Sequence, residues 1–230
     1  GTLTTGVMTP KTIIASNTKE IDMNSKLWNE MKNNIVLNNS STFDKDGMIT
    51  GGNSIDRAMM SLVNSDEYKN IHKNIQMLDK QVFSSSNKYS AFTTKDNLTY
   101  YKGAPERIIE KCSYMIDEDG NRKSFTSKDK EAIQNKLREM TTKSMRCIAL
   151  SSKNEKLEEN KLPDDMSLLG IIGVVDPVRD EVPDAVKIAH KAGIQVIEIT
   201  GDCIETAIAV AKECGIYKDG DVALTNDEFE

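Results

Sequence analysis

A chain of 230 residues can bury a sizeable core and is long enough for one large or two modest domains; 38% hydrophobic and 29% charged residues suit a soluble fold. Its formal net charge of −6, with lysines scattered rather than gathered into a stripe, argues against a nucleic-acid partner, although a small anionic ligand needs only about two or three local cations. No window approaches the roughly 18 consecutive apolar residues of a membrane span, and 4 cysteines without a C-x-x-C, beside only 2 histidines, argue against a zinc site and fit a reducing compartment.

In chain order, residues 12–16 (TIIAS) form a short strand candidate, and Leu27, Trp28, Met31, Ile35 and Val36 recur at helical spacing within Lys26–Leu37. Asn38–Gly52 is polar and rich in turn formers. Asn53 or Ser54 then caps a helix that carries Asp56 in its first turn and Ala58, Met59 and Leu62 on its inner face. Asp66–Ile75 is weakly patterned. From Met77 the chain breaks into short runs, Gln81–Phe83, Tyr89–Thr94 and Asn97–Lys102, the last two joined by Lys95-Asp96 as a hairpin. Pro105 and Glu106 open a short helix. A second small hairpin around Tyr114–Ile116 and Ser124–Phe125 precedes a helix over Asp129–Met140, with Ile133, Leu137 and Met140 on one face. A strand at Arg146–Leu150 leads into a polar connection, Ser151–Asp165.

Near Leu168 the texture changes. An apolar run, Leu168–Val175, stops at Asp176-Pro177; a helix with Val182, Ala185, Val186 and Ala189 on one face follows; and after Gly193 a second apolar run, Ile194–Thr200, ends at Gly201-Asp202. Strand, helix, strand is the pattern of a β-α-β unit in a parallel sheet, whereas the hairpin-rich part before it predicts a mainly antiparallel sheet flanked by helices. Glu205–Cys214 reads as a further helix. The fold class is therefore α/β in two units, one over residues 9–165 and an incomplete parallel one over 166–230 together with residues 1–8. Because ligands of open α/β sheets bind beyond the carboxyl ends of strands, Asp176, Arg179, Thr200, Gly201 and Asp202 are expected at one edge, unless they serve only as turn and cap residues.

The usual signatures of side-chain chemistry are missing: no G-x-x-x-x-G-K-[ST], no G-x-G-x-x-G after a strand, no G-x-S-x-G and no H-E-x-x-H. What remains suits a phosphorylated aromatic ligand. Phe83 offers a face for stacking, Lys88, Lys102 and Arg146 offer cations, and Gly103 lets a ligand approach the backbone. The alternative is that Phe83 is core and the lysines are solvated strand ends. Thr200-Gly201 could present a hydroxyl and N–H groups to phosphate, with Asp202 as a cap, a magnesium-water ligand or a partner of Arg179.

Several segments together resemble the cytoplasmic region of P-type cation-transporting ATPases, most closely the calcium pumps. Gly1-Thr2-Leu3-Thr4 is similar to the tail of the phosphorylation signature D-K-T-G-T-L-T, and Lys102-Gly103-Ala104-Pro105-Glu106 to K-G-A-P-E. Arg146-Cys147-Ile148-Ala149-Leu150 resembles R-x-L-A. Asp176-Pro177-Val178-Arg179 matches D-P-x-R, and Thr200-Gly201-Asp202 with Thr206-Ala207 matches T-G-D-x-x-x-T-A. The resemblance implies a nucleotide-binding domain plus part of a haloacid-dehalogenase-like phosphorylation domain. It assigns Phe83 to stacking on adenine, Lys88 to the basic residue after it, Lys102 and Gly103 to the adenine pocket, Arg146 to the phosphates, and Asp56, within Gly52–Asp56, to a nucleotide-contacting acid. Departures are Ile55 for threonine, Asp56 for glutamate, Ser85 where calcium pumps often have arginine, and Glu198 in an otherwise apolar strand.

The same resemblance implies ATP as ligand, Mg2+ in the intact enzyme, and partners in the remaining phosphorylation, actuator and transmembrane domains of one polypeptide. The transported cation, most closely Ca2+, would bind outside this chain, in a parent protein of the cell membrane with this region facing the cytoplasm. The phosphorylated aspartate lies upstream of Gly1 and the G-D-G-x-N-D magnesium motif is absent, so the expectation is nucleotide binding without turnover, with no catalytic or metal-ligating residue in the chain. Alternatives are a pump for another cation (Mn2+, Mg2+ or a monovalent ion), a soluble phosphatase of the haloacid-dehalogenase type, which needs a D-x-D-x-T loop that is missing, and a chain that retains no binding.

Overall fold

The run MSLLGIIGVV, Met166–Val175, is apolar at almost every position because it lies at the centre of a sheet covered on both faces. The computed structural model describes residues 1–201, 204–225 and 228. Its elements are β1 (Thr9–Ala15), α1 (Lys26–Leu37), β2 (Ser41–Phe43), β3 (Ile49–Gly51), α2 (Ser54–Met60), α3 (Ser65–Asn74), β4 (Met77–Gln81), β5 (Tyr89–Thr94) and β6 (Leu98–Gly103). They continue with α4 (Pro105–Glu110), β7 (Cys112–Ile116), β8 (Arg122–Ser124), α5 (Ser127–Thr142), β9 (Arg146–Asn154), β10 (Met166–Val175), α6 (Val182–Lys191) and α7 (Ile204–Cys214). An eight-stranded sheet runs β4-β5-β6-β9-β10-β7-β8, and β1 also pairs with β10. Every pairing is antiparallel except β10 with β7, so this is a mixed sheet flanked by helices.

Alternation along the strands divides the core in two. Phe92, Tyr100, Ile148, Leu150, Ile172 and Val174 point towards α1 and α2, where Leu27, Trp28, Met31, Ile35, Met59 and Met60 are buried. Tyr89, Ala91, Tyr101, Ala149, Leu168 and Ile171 point the other way, onto Ile108 and Ile109 of α4 and Ile133 and Met140 of α5. Each fully buried Leu, Ile or Phe stabilises the fold by about 1.5–3 kcal/mol relative to exposure, so both layers are strongly held. Two buried amides fasten α1 to the sheet. Asn34 Nδ2 donates to the carbonyls of Tyr101 (2.9 Å) and Ser151 (3.2 Å), and Asn38 Nδ2 to that of Ser90 (3.0 Å).

The helix starts follow from their caps. The Asn53 side chain accepts from the Asp56 N–H at the head of α2. Asn64 with Glu67 and Thr126 with Asp129 form reciprocal capping boxes on α3 and α5. Between β5 and β6 the turn closes with Asn97 at φ 63° and its N–H on the Thr94 carbonyl at 3.0 Å. The polar stretch after α1 contains a small hairpin, β2–β3, that the turn-rich composition had hidden.

Two expectations are corrected. Met166–Val175 is a strand, but it does not belong with residues after it: it pairs with β9, β7 and β1 and so is continuous with the sheet of the preceding residues. A central antiparallel strand between two helical layers is buried on both faces, and its sequence is indistinguishable from that of a parallel strand. Ile194–Thr200 forms no strand, so the β-α-β unit expected over Leu168–Thr200 is not formed. Ile197 and Ile199 are 71% and 95% exposed; an apolar run becomes a strand only when another strand is there to take its hydrogen bonds. Glu198, the oddity in that run, is half-buried.

Candidate functional site

Alternation on β6 sends Leu98, Tyr100 and Lys102 towards α1 and α2, so the last cation of that row ends beneath the head of α2. There Lys102 Nζ meets Asp56 Oδ1 at 2.6 Å, and the two side chains are only 8% and 9% exposed. Asn53, the cap of α2, turns the chain so that Asp56 points inward, and its Nδ2 lies 3.4 Å from the other carboxylate oxygen. Gly52, at φ +60°, makes this approach possible: a Cβ there would collide with Ser41 Oγ and come within 3.0 Å of the Asp56 Cβ. Burial pulls the Lys102 ammonium below its usual pKa, and the Asp56 charge and hydrogen bond offset part of that shift.

A second cation, unnoticed in the sequence, stands nearby. Lys80 on β4 is opposite Phe92, and therefore on the same face of the sheet. Its Nζ donates to the Asn39 carbonyl at 2.9 Å, while Asn39 Nδ2 donates to the Asp56 carbonyl at 3.1 Å. Burial lowers the Lys80 pKa, against an opposing attraction from Asp56. The segment MLDKQ mixes charge and apolar residues on both faces, so only the strand register reveals where Lys80 points.

At the end of β6 the strands pack too closely for a side chain. Gly103 is paired with Tyr89 so closely that a Cβ would lie 2.5 Å from the Lys88 carbonyl oxygen and 2.6 Å from the Tyr89 Cβ. The Ala104 N–H donates to that same Lys88 carbonyl at 2.9 Å. Lys88, at φ 60°, reaches outward with its ammonium 3.6 Å from Glu106. Phe83 lies two residues beyond the end of β4 and is 55% exposed, so it is not a core residue. Arg146 begins β9 at the same end of the sheet as Gly103 and is exposed. Asp56, Lys102 and Gly103 thus adjoin, with Lys88 against Gly103, while Phe83 after β4 and Arg146 at the start of β9 are exposed at this end of the sheet.

Asp176 and Arg179 gather elsewhere, on residues 1–6. The Asp176 carboxylate accepts from the Thr4 hydroxyl (2.8 Å), the Gly6 N–H (2.8 Å) and the Thr5 hydroxyl (3.3 Å). The Arg179 N–H donates to the Leu3 carbonyl at 2.9 Å, and its guanidinium to that of Gly1 at 3.3 Å. Two crossing stretches of chain are therefore laced together where the sheet ends. Thr200 and Gly201 sit in the exposed segment after α6, which no strand joins to Asp176, and Asp202 lies outside the described residues.

A mixed sheet with helices on both faces, and a buried lysine–carboxylate pair at the end of an interior strand, defines an α/β domain with a candidate ligand site. Residues 14–181, well over half of the chain, match the model of the P-type ATPase cytoplasmic domain N, and the chain belongs to that family. It is 39% identical over 130 residues to a putative plasma membrane-type calcium-transporting ATPase 13 of Arabidopsis thaliana, covering 56% of this chain and 13% of that protein. It is 27% identical over 234 residues to calcium-transporting ATPase 1 of Bacillus cereus, covering 95% of this chain and 26% of that protein. With calcium-transporting ATPase PAT1 of Dictyostelium discoideum it shares 32% over 170 residues, 71% of this chain and 15% of the relative. The matched segments thus make up 13%, 26% and 15% of the lengths of these relatives. Among the described residues no helix is long and apolar enough to cross a membrane.

Proposed function

We propose that the sheet and its helices form the ATP-binding unit of an ATP-driven cation pump, with Ca2+ as the transported ion, and that residues 1–8 and 176–230 belong to its phosphorylation unit. The observation that carries this reading is the Lys102–Asp56 pair at 2.6 Å, buried at the end of β6 beside Gly103, in a chain of this family. Adenine would stack on Phe83 and meet the polar floor made by Lys102 and Asp56, while Lys88 and Arg146 neutralise the phosphates. The names of the relatives as calcium-transporting ATPases support the choice of ion.

In this reading the γ-phosphoryl group passes to an aspartate outside the chain, and hydrolysis of that aspartyl phosphate drives transport through membrane helices also supplied from outside it. The other partners are the actuator domain and the rest of the phosphorylation domain, and this region faces the cytoplasm. Magnesium supplies charge neutralisation to the phosphates. Among the described residues no group of three or more His, Cys, Asp or Glu side chains could hold it, and the Asp176 carboxylate already accepts three hydrogen bonds, so the donors here fit a metal that arrives with the nucleotide. Asp176–Arg179 would serve as the return crossing between units, with Thr200, Gly201 and Asp202 on the phosphoryl side.

Calorimetric titration of the 230-residue chain with ATP tests the proposal. The expected dissociation constant is submillimolar to millimolar, about −4 to −5 kcal/mol. Lys102→Ala and, because its side chain is exposed and not needed for folding, Phe83→Ala should each weaken binding at least about tenfold. Saturable binding that both variants leave unchanged would refute the pocket.

A further inference from the structure

The two halves of the proposed base site come from distant parts of the chain. Phe83 follows the edge strand β4, which has a strand neighbour on one side only and a register break between Met77 and Asp79. Asp56 belongs to α2, and the Asn38–Asn39 turn lies beneath it. One side chain joins them on this face of the sheet. Lys80 Nζ donates to the Asn39 carbonyl at 2.9 Å, the Asn39 side-chain amide donates to the Asp56 carbonyl at 3.1 Å, and Asp56 in turn holds Lys102 at 2.6 Å. On the opposite face Gln81 Oε1 accepts the Asn160 N–H at 2.7 Å. Beyond Gln81 the strand ends and Phe83 is exposed two residues later.

We propose that Lys80 is a positioning residue of the nucleotide site, setting the distance between the Phe83 platform and the Asp56–Lys102 floor; this rests on the ATP-binding reading above. The location of Lys80 separates this role from phosphate contact. Lys88 and Arg146 lie at the Gly103 end of the sheet, whereas Lys80 is opposite Phe92, which in turn faces Tyr100, two residues further inside than Lys102. The ammonium is therefore placed behind the base rather than beside the phosphates. Its half-buried state and its attraction to Asp56 make it a tether held by charge as well as by a hydrogen bond.

The consequence is a loss of affinity shared by every ligand that carries the base. Lys80→Met should weaken ATP, ADP and adenosine by the same factor, about tenfold, the scale of one charge-assisted contact. Lys80→Arg, which keeps the charge and a donor, should restore most of it. Because Lys80 acts through the platform, Lys80→Met should cost almost nothing further in a Phe83→Ala background, a non-additivity that general destabilisation does not produce. Urea unfolding of the same variants reports any loss of fold. Additive losses, a loss confined to ATP and ADP, or an unchanged affinity would each overturn the positioning role while leaving the ATP site standing. No nucleotide binding by the parent chain would overturn that site and this role with it.

Discussion

The Lys102–Asp56 pair offers the sharpest test because its geometry predicts unequal costs for its two halves. Removing Asp56 as Asp56→Ala leaves the Lys102 ammonium, 8% exposed, without its carboxylate and with the Lys80 cation close by. Breaking a buried pair in this way costs about 3–5 kcal/mol, because one charge stays buried without compensation. Lys102→Met leaves Asp56 better served: it is in the first turn of α2, it keeps the Asn53 amide at 3.4 Å, and Lys80 still attracts it. Its cost should be smaller, about 1–3 kcal/mol. The double variant removes both charges, so it should be more stable than the sum of the single losses by roughly 2 kcal/mol or more. Urea unfolding followed by circular dichroism measures all four chains, with equal slopes required for the comparison. Single losses that add within about 0.5 kcal/mol, or a larger loss from Lys102→Met than from Asp56→Ala, would refute the reasoning.

Three further outcomes are expected. Gly103→Ala forces a Cβ to within 2.8 Å of the Tyr89 Cα and closer still to the Lys88 carbonyl; the strand must move, lowering stability by about 1–3 kcal/mol and ATP affinity with it, as thermal melts and titration would show. Asp176→Ala releases residues 1–6, so hydrogen exchange at Gly6 should quicken while the β10 amides keep their protection, with at most about 1–2 kcal/mol of global stability lost. The lowered pKa of Lys102 gives a pH signature. As pH rises from the folded value towards the ordinary lysine value of 10.5, the unfolded chain binds more protons than the folded one at this site. Its contribution to stability therefore rises over that window, and the wild-type chain should gain on Lys102→Met in urea titrations taken between neutral and alkaline pH. A widening deficit would contradict the burial of that ammonium.

How much could be read without the structure differed from one element to the next. α1 was legible to the residue, since Lys26–Leu37 carries its apolar face at helical spacing, and the α2 head was legible from Asn53 and Asp56. The β5–β6 hairpin announced itself by two alternating runs around a short polar turn. Lys102 and Gly103 were visible because a strand end followed by Gly-Ala-Pro marks a junction. As a candidate site residue Asp56 was visible only through the resemblance of its segment, and nothing in the chain before it said that it would meet Lys102. Lys80 was invisible, because its orientation depends on the register of an edge strand.

What the sequence determined by itself was local: helix starts fixed by caps within three or four residues, strand alternation, and the small residues that strand ends and turns require. These depend on groups close along the chain, whose geometry the backbone imposes whatever surrounds it. What only the tertiary structure decided was partnership. Met166–Val175 could be a parallel strand leading into the next unit or the middle of the preceding sheet, and its hydrogen bonds to β1, β7 and β9 chose the second. Ile194–Thr200 has the composition of a strand, and among the described residues none pairs with it. Asp56, Lys80 and Lys102 likewise converge only in three dimensions, since burial and Coulomb attraction act through space and are blind to distance along the chain.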